Sequence, residues 1–281
     1  MQSSLRFGWG WATGGPVWLF FTARHLHPFL QAPRGPVEFF ETVIDKLTQT
    51  QTAPPVGVML GCLAAAAAMV LYAPVWRWSR GLVTIAHEGG HALMAVLMRR
   101  RLTGIRLHAD TSGLTFSRGK PTGFGAAMTL FAGYIAPAAI GLGAAALTGA
   151  GYIVALLWIT LISLAIMLAF IRNWYGALAL LVVGAGVFAA TWYGNAIVQT
   201  VAAYVGAWLL LLGAVKPVLE LGARRRRGRG SGASDADQLA GITALPAGGW
   251  IFLFSLATIA AAIWGTWLLL PVEDWGWLQS V

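Results

Sequence analysis

The chain has 281 residues, of which 58% are apolar and only 10% are charged, and its formal net charge is +9. Soluble domains have about 25% charged and about 45–50% apolar residues, so this composition excludes a soluble globular protein and indicates a polytopic membrane protein. The single cysteine, Cys62, excludes a disulfide framework or a cysteine-built zinc site within one chain.

The N-terminal segment, residues 1–55, contains an aromatic stretch at 16–30 that is too polar to span a bilayer, because it includes Arg24, His25 and His27. We expect this stretch to lie on the cytoplasmic surface as an interfacial helix or hairpin. The segment lacks the basic start, apolar core and cleavage site of a signal peptide, so we expect it to stay in place.

Seven apolar runs follow, each long enough at about 17–25 residues to cross a bilayer as a helix. Helices are expected because lipid cannot satisfy exposed backbone groups and no barrel-type alternation is present. The runs cover residues 56–75, 82–98, 126–148, 151–171, 174–190, 197–215 and 249–270. The sequence therefore predicts an all-α polytopic membrane protein, with a helix bundle over 56–270 and an outer tail at 271–281.

Two connecting segments have a composition of their own. Residues 102–119 alternate apolar and polar side chains on either side of Asp110-Thr-Ser-Gly113, which predicts a short cytoplasmic β-hairpin after the second span. Residues 222–234 are rich in glycine, arginine and serine, which is typical of a basic, flexible linker.

The positive charges are distributed unevenly along the chain. With seven spans and a cytoplasmic N-terminus, every lysine and arginine except Arg77 and Arg80 falls on one face. The positive-inside rule makes that face cytoplasmic and places the C-terminus outside. This distribution explains the net charge without a nucleic-acid partner. Trp174 and Trp192 fall at predicted span ends, where tryptophans act as interfacial anchors.

The second span contains His87-Glu88-Gly89-Gly90-His91, an H-E-x-x-H motif on a predicted helix. Residues four apart share a helical face, so the two imidazoles can bind one Zn²⁺ while Glu88 takes a proton from the attacking water. Ionisable groups in a membrane helix each cost about 2.5–3.5 kcal/mol on insertion scales, so the cluster needs a compensating partner. The alternatives are a structural polar cluster and a proton or ion path.

The motif and three further segments resemble the site-2 proteases, which are intramembrane zinc metalloproteases, and in particular their small bacterial branch. The matching features are the H-E-x-x-H span, the strand-like segment 104–118, Ala132-Gly133-Tyr-Ile-Ala-Pro137 and Arg172-Asn173-Trp-Tyr-Gly176. The resemblance implies hydrolysis of peptide bonds in or near transmembrane segments of membrane protein substrates. It also implies a multi-pass protein of the bacterial plasma membrane, in contact with the lipid bilayer.

The chain departs from the family pattern at the third zinc ligand. In the family this ligand is the aspartate of a later Asp-Gly motif, and the sequence contains no Asp-Gly. Asp235 and Asp237 are the candidates, if the segment after the sixth span folds back; the alternative is a solvated helix N-cap. Asn173 is a candidate catalytic residue that positions a substrate carbonyl or oxyanion, or it bonds to free backbone where two helices meet.

Two other functions compete with a protease. One is a catalytically inactive relative that keeps the histidine pair and acts as a membrane binding or regulatory protein. The other is a small transporter or ion path, although a transporter is expected to show symmetry-related helix breaks in two halves, and the sequence shows no internal repeat.

Overall fold

The computed structural model describes residues 44, 47–228 and 234–270. The chain divides into two compact units, Met1–Asp45 and Lys46–Val281. Only Ile44 of the first unit is described, and the long helices and the sheet all belong to the second. The predicted interfacial stretch at 16–30, the outer tail at 271–281 and part of the predicted linker lie outside the described residues.

The described part consists of long helices and one small sheet, so the predicted all-α polytopic class is confirmed. The elements in chain order are α1 (Val56–Leu71), α2 (Ala73–Leu97), β1 (Arg101–Leu107), β2 (Gly113–Arg118), α3 (Phe124–Gly149), α4 (Ile153–Phe170), α5 (Trp174–Tyr193), α6 (Ala196–Arg226), α7 (Asp235–Ile242) and α8 (Ala247–Leu269).

The number of membrane spans is lower than predicted. Among the described residues, α3, α4, α5, α6 and α8 are each long and apolar enough to cross a membrane, whereas α1 and α2 qualify only together, as a pair bent by 99°. Seven separate spans are therefore corrected to five, or six if the bent pair is one span. The 16 residues of α1 reach only about 24 Å, short of the ~30 Å hydrocarbon core.

The bend between α1 and α2 is held by side chains that satisfy the last carbonyls of α1. A helix end leaves such carbonyls without partners in the helix. Ser79 Oγ donates to Met69 O at 2.9 Å, and the Lys216 ammonium on α6 donates to Val70 O at 2.5 Å. Pro74 lies in the first turn of α2, where its missing N–H costs nothing. The bend is therefore a built feature of the bundle.

The segment that directly precedes α1 lies at the end of the bundle opposite the hairpin. Gln51 N donates to Gly151 O in the α3–α4 turn, and the Gln51 side chain bonds to Gln199 and Thr200 at the start of α6. This corrects the prediction that residue 55 and the hairpin share a face. The physical reason is the bend, since α1 and α2 do not form two consecutive crossings.

Arg80 also differs from its predicted side. It lies 3.7 Å from Glu220, which belongs to the same end of α6 as the basic residues Arg224–Arg227. Arg80 therefore lies near the end of the bundle where α6 carries Arg224–Arg227. That this end is cytoplasmic stays a prediction from the positive-inside rule.

The predicted hairpin is present, with β1 and β2 antiparallel and Leu107 opposite Gly113. Its turn is closed locally, because Ser112 O accepts from His108 N and the Asp110 carboxylate accepts from Ser112. The other edge of β1 is partly covered: Ile105 O accepts from the backbone N–H of Arg172, which follows α4. The hairpin is thus tied to the α4–α5 turn as well as to itself.

The core of the bundle lies between α3, α6 and α8. Small residues allow close packing there, as is usual when lipid-embedded helices associate. Gly141 of α3 and Gly265 of α8 both face Leu211 of α6, where an added Cβ would press on the leucine. Trp208 and Leu211 are fully buried. Helices α2 and α7 both pack against α3 of this core.

Candidate metal centre

The H-E-x-x-H motif lies in α2 with its side chains turned into the protein. One ligand atom from each of His87, Glu88 and His91 lies within 4.8 Å of the others, and the two histidine Nε2 atoms are 3.1 Å apart. The four-residue spacing on one helical face produces this convergence locally. Glu88 is only 3% exposed and His91 8%, so water reaches them only through the protein.

His91 is oriented by a bond from its outer ring nitrogen to α3. Nδ1 lies 2.7 Å from Thr129 O. A carbonyl oxygen can only accept, so this contact assigns the proton to Nδ1 and leaves the lone pair of Nε2 directed at the cluster. Metal-binding histidines are typically fixed in this way by a carbonyl behind the ring.

Asp235 joins the two histidines. Its Oδ2 lies 3.2 Å from His87 Nε2 and 3.3 Å from His91 Nε2. It is the first residue of α7, and Ala236 and Leu239 of that helix are fully buried against α3 and α8. Burial raises the pKa of the Asp235 carboxyl, but its bonds to His87 and His91 outweigh burial and hold the pKa below its ordinary value. The segment after α6 does fold back, and it delivers a carboxylate.

Asp237 has a different place. Its Oδ2 accepts from Ser234 Oγ at 2.6 Å and its Oδ1 pairs with Arg225. Together with Ser234 it forms a capping box at the start of α7. The two roles considered for this segment therefore divide between the two aspartates: the structure brings Asp235 to the histidines, and it uses Asp237 in the helix cap, away from the predicted metal position.

The donor set formed by His87, His91 and Asp235 fits a zinc ion. Zinc bonds of about 2.0–2.1 Å in a tetrahedral site place neighbouring ligand atoms about 3.3–3.4 Å apart, close to the separations of 3.1, 3.2 and 3.3 Å between these three donors. In the absence of a cation, His91 Nε2 and the Asp235 oxygen can lie this close only if the imidazole carries a second proton and donates it to the carboxylate. Two imidazoles and one carboxylate also leave the fourth position open, as catalytic zinc sites do.

Helix α3 forms the wall behind the imidazoles. A Cβ on Gly133 would overlap both histidine rings, with His87 Cε1 at 2.9 Å and His91 closer still. The next residue, Tyr134, packs edge-on against His87 with ring centroids 4.9 Å apart and stacks on Phe254 of α8. The absence of a side chain at Gly133 therefore makes the room that the histidine pair occupies.

Strand β2 covers Glu88 from the other side. Thr115 Oγ donates to Glu88 Oε2 at 2.6 Å, and a Cβ on Gly113 would lie 2.5 Å from the Glu88 carboxylate. Thr84 of α2 donates to Thr111 O at 2.8 Å, which holds the turn of the hairpin against the same helix. The hairpin therefore fixes the orientation of the carboxylate and forms one side of the site.

A cavity of about 160 Å³ opens beside the cluster. Its walls come from α2, the hairpin, α3 and α6, and they consist of Arg80, Val83, Thr84, His87, Glu88, Thr111, Ser112, Gly113, Tyr134 and Pro217. Both a histidine and the buried carboxylate thus face space that a substrate group and a water can enter.

Comparison with known proteins shows the family to which the chain belongs. A model of the family described as Peptidase M50B-like matches residues 60–265, which include the histidine pair, the hairpin and Asp235. The chain belongs to the Peptidase M50B-like family. These are site-2 proteases, so the resemblance seen in the sequence is confirmed. No curated protein and no solved structure matches the chain. With its apolar helices, this family member is a multi-pass membrane protein.

Asn173 of this M50B-like protein bonds to the hairpin. Its Nδ2 donates to Leu107 O at 2.6 Å, and its Oδ1 accepts from Leu107 N at 3.2 Å. The amide thus satisfies the backbone at the end of β1, which was one of the two roles considered for it. It is not among the residues that line the cavity beside Glu88, and its role as a catalytic residue stays a prediction.

Several residues that build the M50B-like site were not singled out from the sequence. They are Thr115 and Gly113 on β2, and Thr129 and Tyr134 on α3. A threonine or glycine in an apolar helix or a hairpin carries no distinctive signal. Gly113, Thr115, Gly133 and Tyr134 lay in segments that resembled the family, but the reason for each residue emerges only from its contacts with Glu88 or the imidazoles.

Proposed function

We propose that this protein is an intramembrane zinc metalloprotease that hydrolyses peptide bonds in or near transmembrane segments of membrane proteins. The observation that carries the proposal is the convergence of His87 Nε2, His91 Nε2 and Asp235 Oδ2 beside the buried carboxylate of Glu88. The family match supports metalloprotease chemistry. In this proposal Asp235 takes the role that the Asp-Gly aspartate has in the family.

The side chains divide the chemistry between them. His87, His91 and Asp235 would hold Zn²⁺, which polarises a scissile carbonyl and activates a water when it is bound. Glu88 accepts a proton from the attacking water and returns it to the leaving amide nitrogen. Thr115 holds one oxygen of the Glu88 carboxylate, so the other oxygen is free for this transfer.

The substrate must be extended at the cleaved bond, because a helical segment keeps its carbonyls bonded within the helix. An extended peptide could pair with the outer edge of β2, since β1 pairs with β2 on one side and contacts the α4–α5 turn on the other. Addition of a strand to an exposed sheet edge is a common mode of peptide recognition. Because Thr115 of β2 contacts Glu88, such pairing would bring the peptide beside the general base.

The test combines zinc content with proteolysis in membranes. We would measure zinc per chain in purified wild type, His91→Ala, Glu88→Gln, Asp235→Asn and Asp237→Asn. In parallel, new N-termini of membrane proteins would be quantified by mass spectrometry in cells that express wild type or Glu88→Gln. We expect about one zinc per chain in wild type, with Glu88→Gln keeping the metal and losing the new N-termini.

Asp237→Asn is the matched control, since it makes the same chemical change two residues away. Removal of groups that only support zinc ligands costs about 10–100-fold in affinity, so we expect Asp235→Asn to weaken zinc binding by more than about 100-fold. Asp237→Asn disturbs the cap of α7, worth typically ~1 kcal/mol, or about fivefold, and an ion pair with Arg225 on the protein surface, which contributes little. Equal affinity in the two variants would contradict the assignment of Asp235.

The same experiment separates the competing functions. Stoichiometric zinc without any Glu88-dependent cleavage would favour an inactive binding or regulatory relative. A protein that binds no zinc in any form would favour a structural polar cluster or a proton path through His87, Glu88 and His91.

A further inference from the structure

The outer face of the hairpin carries both basic and apolar side chains. Alternation along the strands directs Ile105, Leu107 and Thr115 inward, where they pack on the bundle or bond to Glu88. The opposite face is exposed and carries Arg106, Leu114, Phe116 and Arg118. Leu114 is 52% exposed and Phe116 43%. This face has no function in the proposed proteolysis.

The hairpin lies at the level where two membrane spans end. Helix α4 has 18 residues and α5 has 20, about 27 and 30 Å, which matches the thickness of a hydrocarbon core. Their connecting turn therefore lies at the membrane surface, and β1 bonds directly to it through Ile105 O and Asn173. Trp174, which follows this turn, is 82% exposed, as expected for an interfacial tryptophan.

Two guanidinium groups flank a cavity on this face. The cavity has a volume of about 290 Å³ and is lined by Thr103, Gly104, Arg106, Phe116 and Arg172. The Arg106 guanidinium lies over the Phe116 ring, 5.7 Å from its centroid. The stem of Arg172 lies on Gly104, where a Cβ would be 2.5 Å from its Cγ. Two cations thus border a space far larger than the ~30 Å³ share of one water.

No carboxylate of the described chain neutralises these two arginines. Residues 111–219 contain no Asp or Glu at all, and the ion pairs among the described residues involve neither Arg106 nor Arg172. Asp110 at the hairpin tip is bound to Ser112. Arg172 uses one nitrogen to cap Ala169 O and Ile171 O, which leaves its other donors for a ligand.

We propose that this outer face binds the phosphate headgroup of an anionic phospholipid, with Arg106 and Arg172 holding the phosphate. Leu114 and Phe116 then lie against the upper acyl chains, since side chains at this level pass from headgroup to hydrocarbon. Charge complementarity and the depth of the α4–α5 turn are the reasons for choosing a lipid. The site is separate from the histidine cluster, and it holds whether or not the protein cleaves peptides.

The test is lipid binding by the full chain in a neutral detergent. Native mass spectrometry would give apparent dissociation constants for phosphatidylglycerol and, with the same acyl chains, phosphatidylcholine. Each Arg near an anionic lipid surface contributes about 1 kcal/mol, so Arg106→Gln/Arg172→Gln should weaken phosphatidylglycerol binding roughly 30-fold. Arg224→Gln/Arg226→Gln removes the same charge from exposed positions of α6 and should change it less than about twofold.

Two further arms keep the result decisive. Arg172 also caps α4, so the single variant Arg106→Gln is made as well. Its guanidinium lies over the Phe116 ring, and its loss should by itself weaken binding about fivefold. Excess inorganic phosphate should leave the lipid bound, because phosphate alone lacks the acyl contacts. Equal affinity for the two lipids, equal loss in the α6 control, or displacement by phosphate would each overturn the proposal.

Discussion

Gly133→Ala tests how closely α3 must approach the histidine pair. The added Cβ would lie 2.9 Å from His87 Cε1 and nearer still to His91, and the atoms behind these rings belong to the packed helices α2 and α3. Forcing a methyl group into a filled site typically costs 1–3 kcal/mol. If the imidazoles move to relieve the overlap, we expect zinc binding to weaken about 5- to 150-fold.

Gly143→Ala is the matched control for this substitution. Gly143 lies in the same helix, and a Cβ added there meets nothing within 4 Å. Alanine is favoured over glycine in a helix by about 0.8–1.0 kcal/mol, so this variant should bind zinc like wild type and unfold at an equal or higher temperature. The assay is zinc titration against a competing chelator, together with thermal unfolding in detergent.

The result that would refute this reasoning is wild-type zinc affinity in Gly133→Ala. Such a result would mean that the imidazoles lie elsewhere when the metal is bound. An equal loss of zinc affinity in both glycine variants would mean that the loss does not come from the contact between Gly133 and the histidines.

Further predictions concern Glu88 and the bend between α1 and α2. Thr115→Val removes a bond to a buried carboxylate, worth about 1.5–3 kcal/mol, so Glu88-dependent cleavage in membranes should fall at least about tenfold, while Thr115→Ser keeps the hydroxyl and most of the activity. Lys216→Met leaves Val70 O without its donor and removes the contact between the Lys216 ammonium and the Trp76 ring, so the thermal midpoint in detergent should fall by the equivalent of about 1.5–3 kcal/mol. Glu220→Gln breaks a half-exposed ion pair with Arg80 and should change the thermal midpoint by the equivalent of less than about 1 kcal/mol. A larger fall than that of Lys216→Met would contradict the conclusion that Lys216 holds the bend.

Much of the fold follows from local patterns in the sequence. Apolar runs predict helices because lipid leaves the backbone no other partner, and the alternation around Asp110–Gly113 predicts the hairpin. The bend at Tyr72 was missed, because apolarity alone does not show direction. Its cause is distributed between Pro74, Ser79 and a lysine on α6, and only the folded chain brings these together.

The site divides in the same way. His87, Glu88 and His91 are close in sequence, and a helix is enough to bring them together. Asp235 was one of two candidates for the third ligand. Both aspartates lie in the first turn of α7, and the sequence does not show which of them faces α2. Because α1 and α2 are bent by 99°, they cannot both run along the membrane normal. The histidines of α2 are reached by Asp235 at the start of α7.

The position of Asp235 at the start of α7 also has a consequence for biosynthesis. The histidine pair is made early, whereas Asp235 emerges about half a chain length later, after α6 has been completed. At about 5–20 residues per second, this delay is roughly 7–30 s. During that time a nascent chain already in the membrane has two of the three donors. The third arrives only with the segment that α3 and α8 bury, so assembly of the proposed metal site would report that the C-terminal part of the chain has been translated and packed.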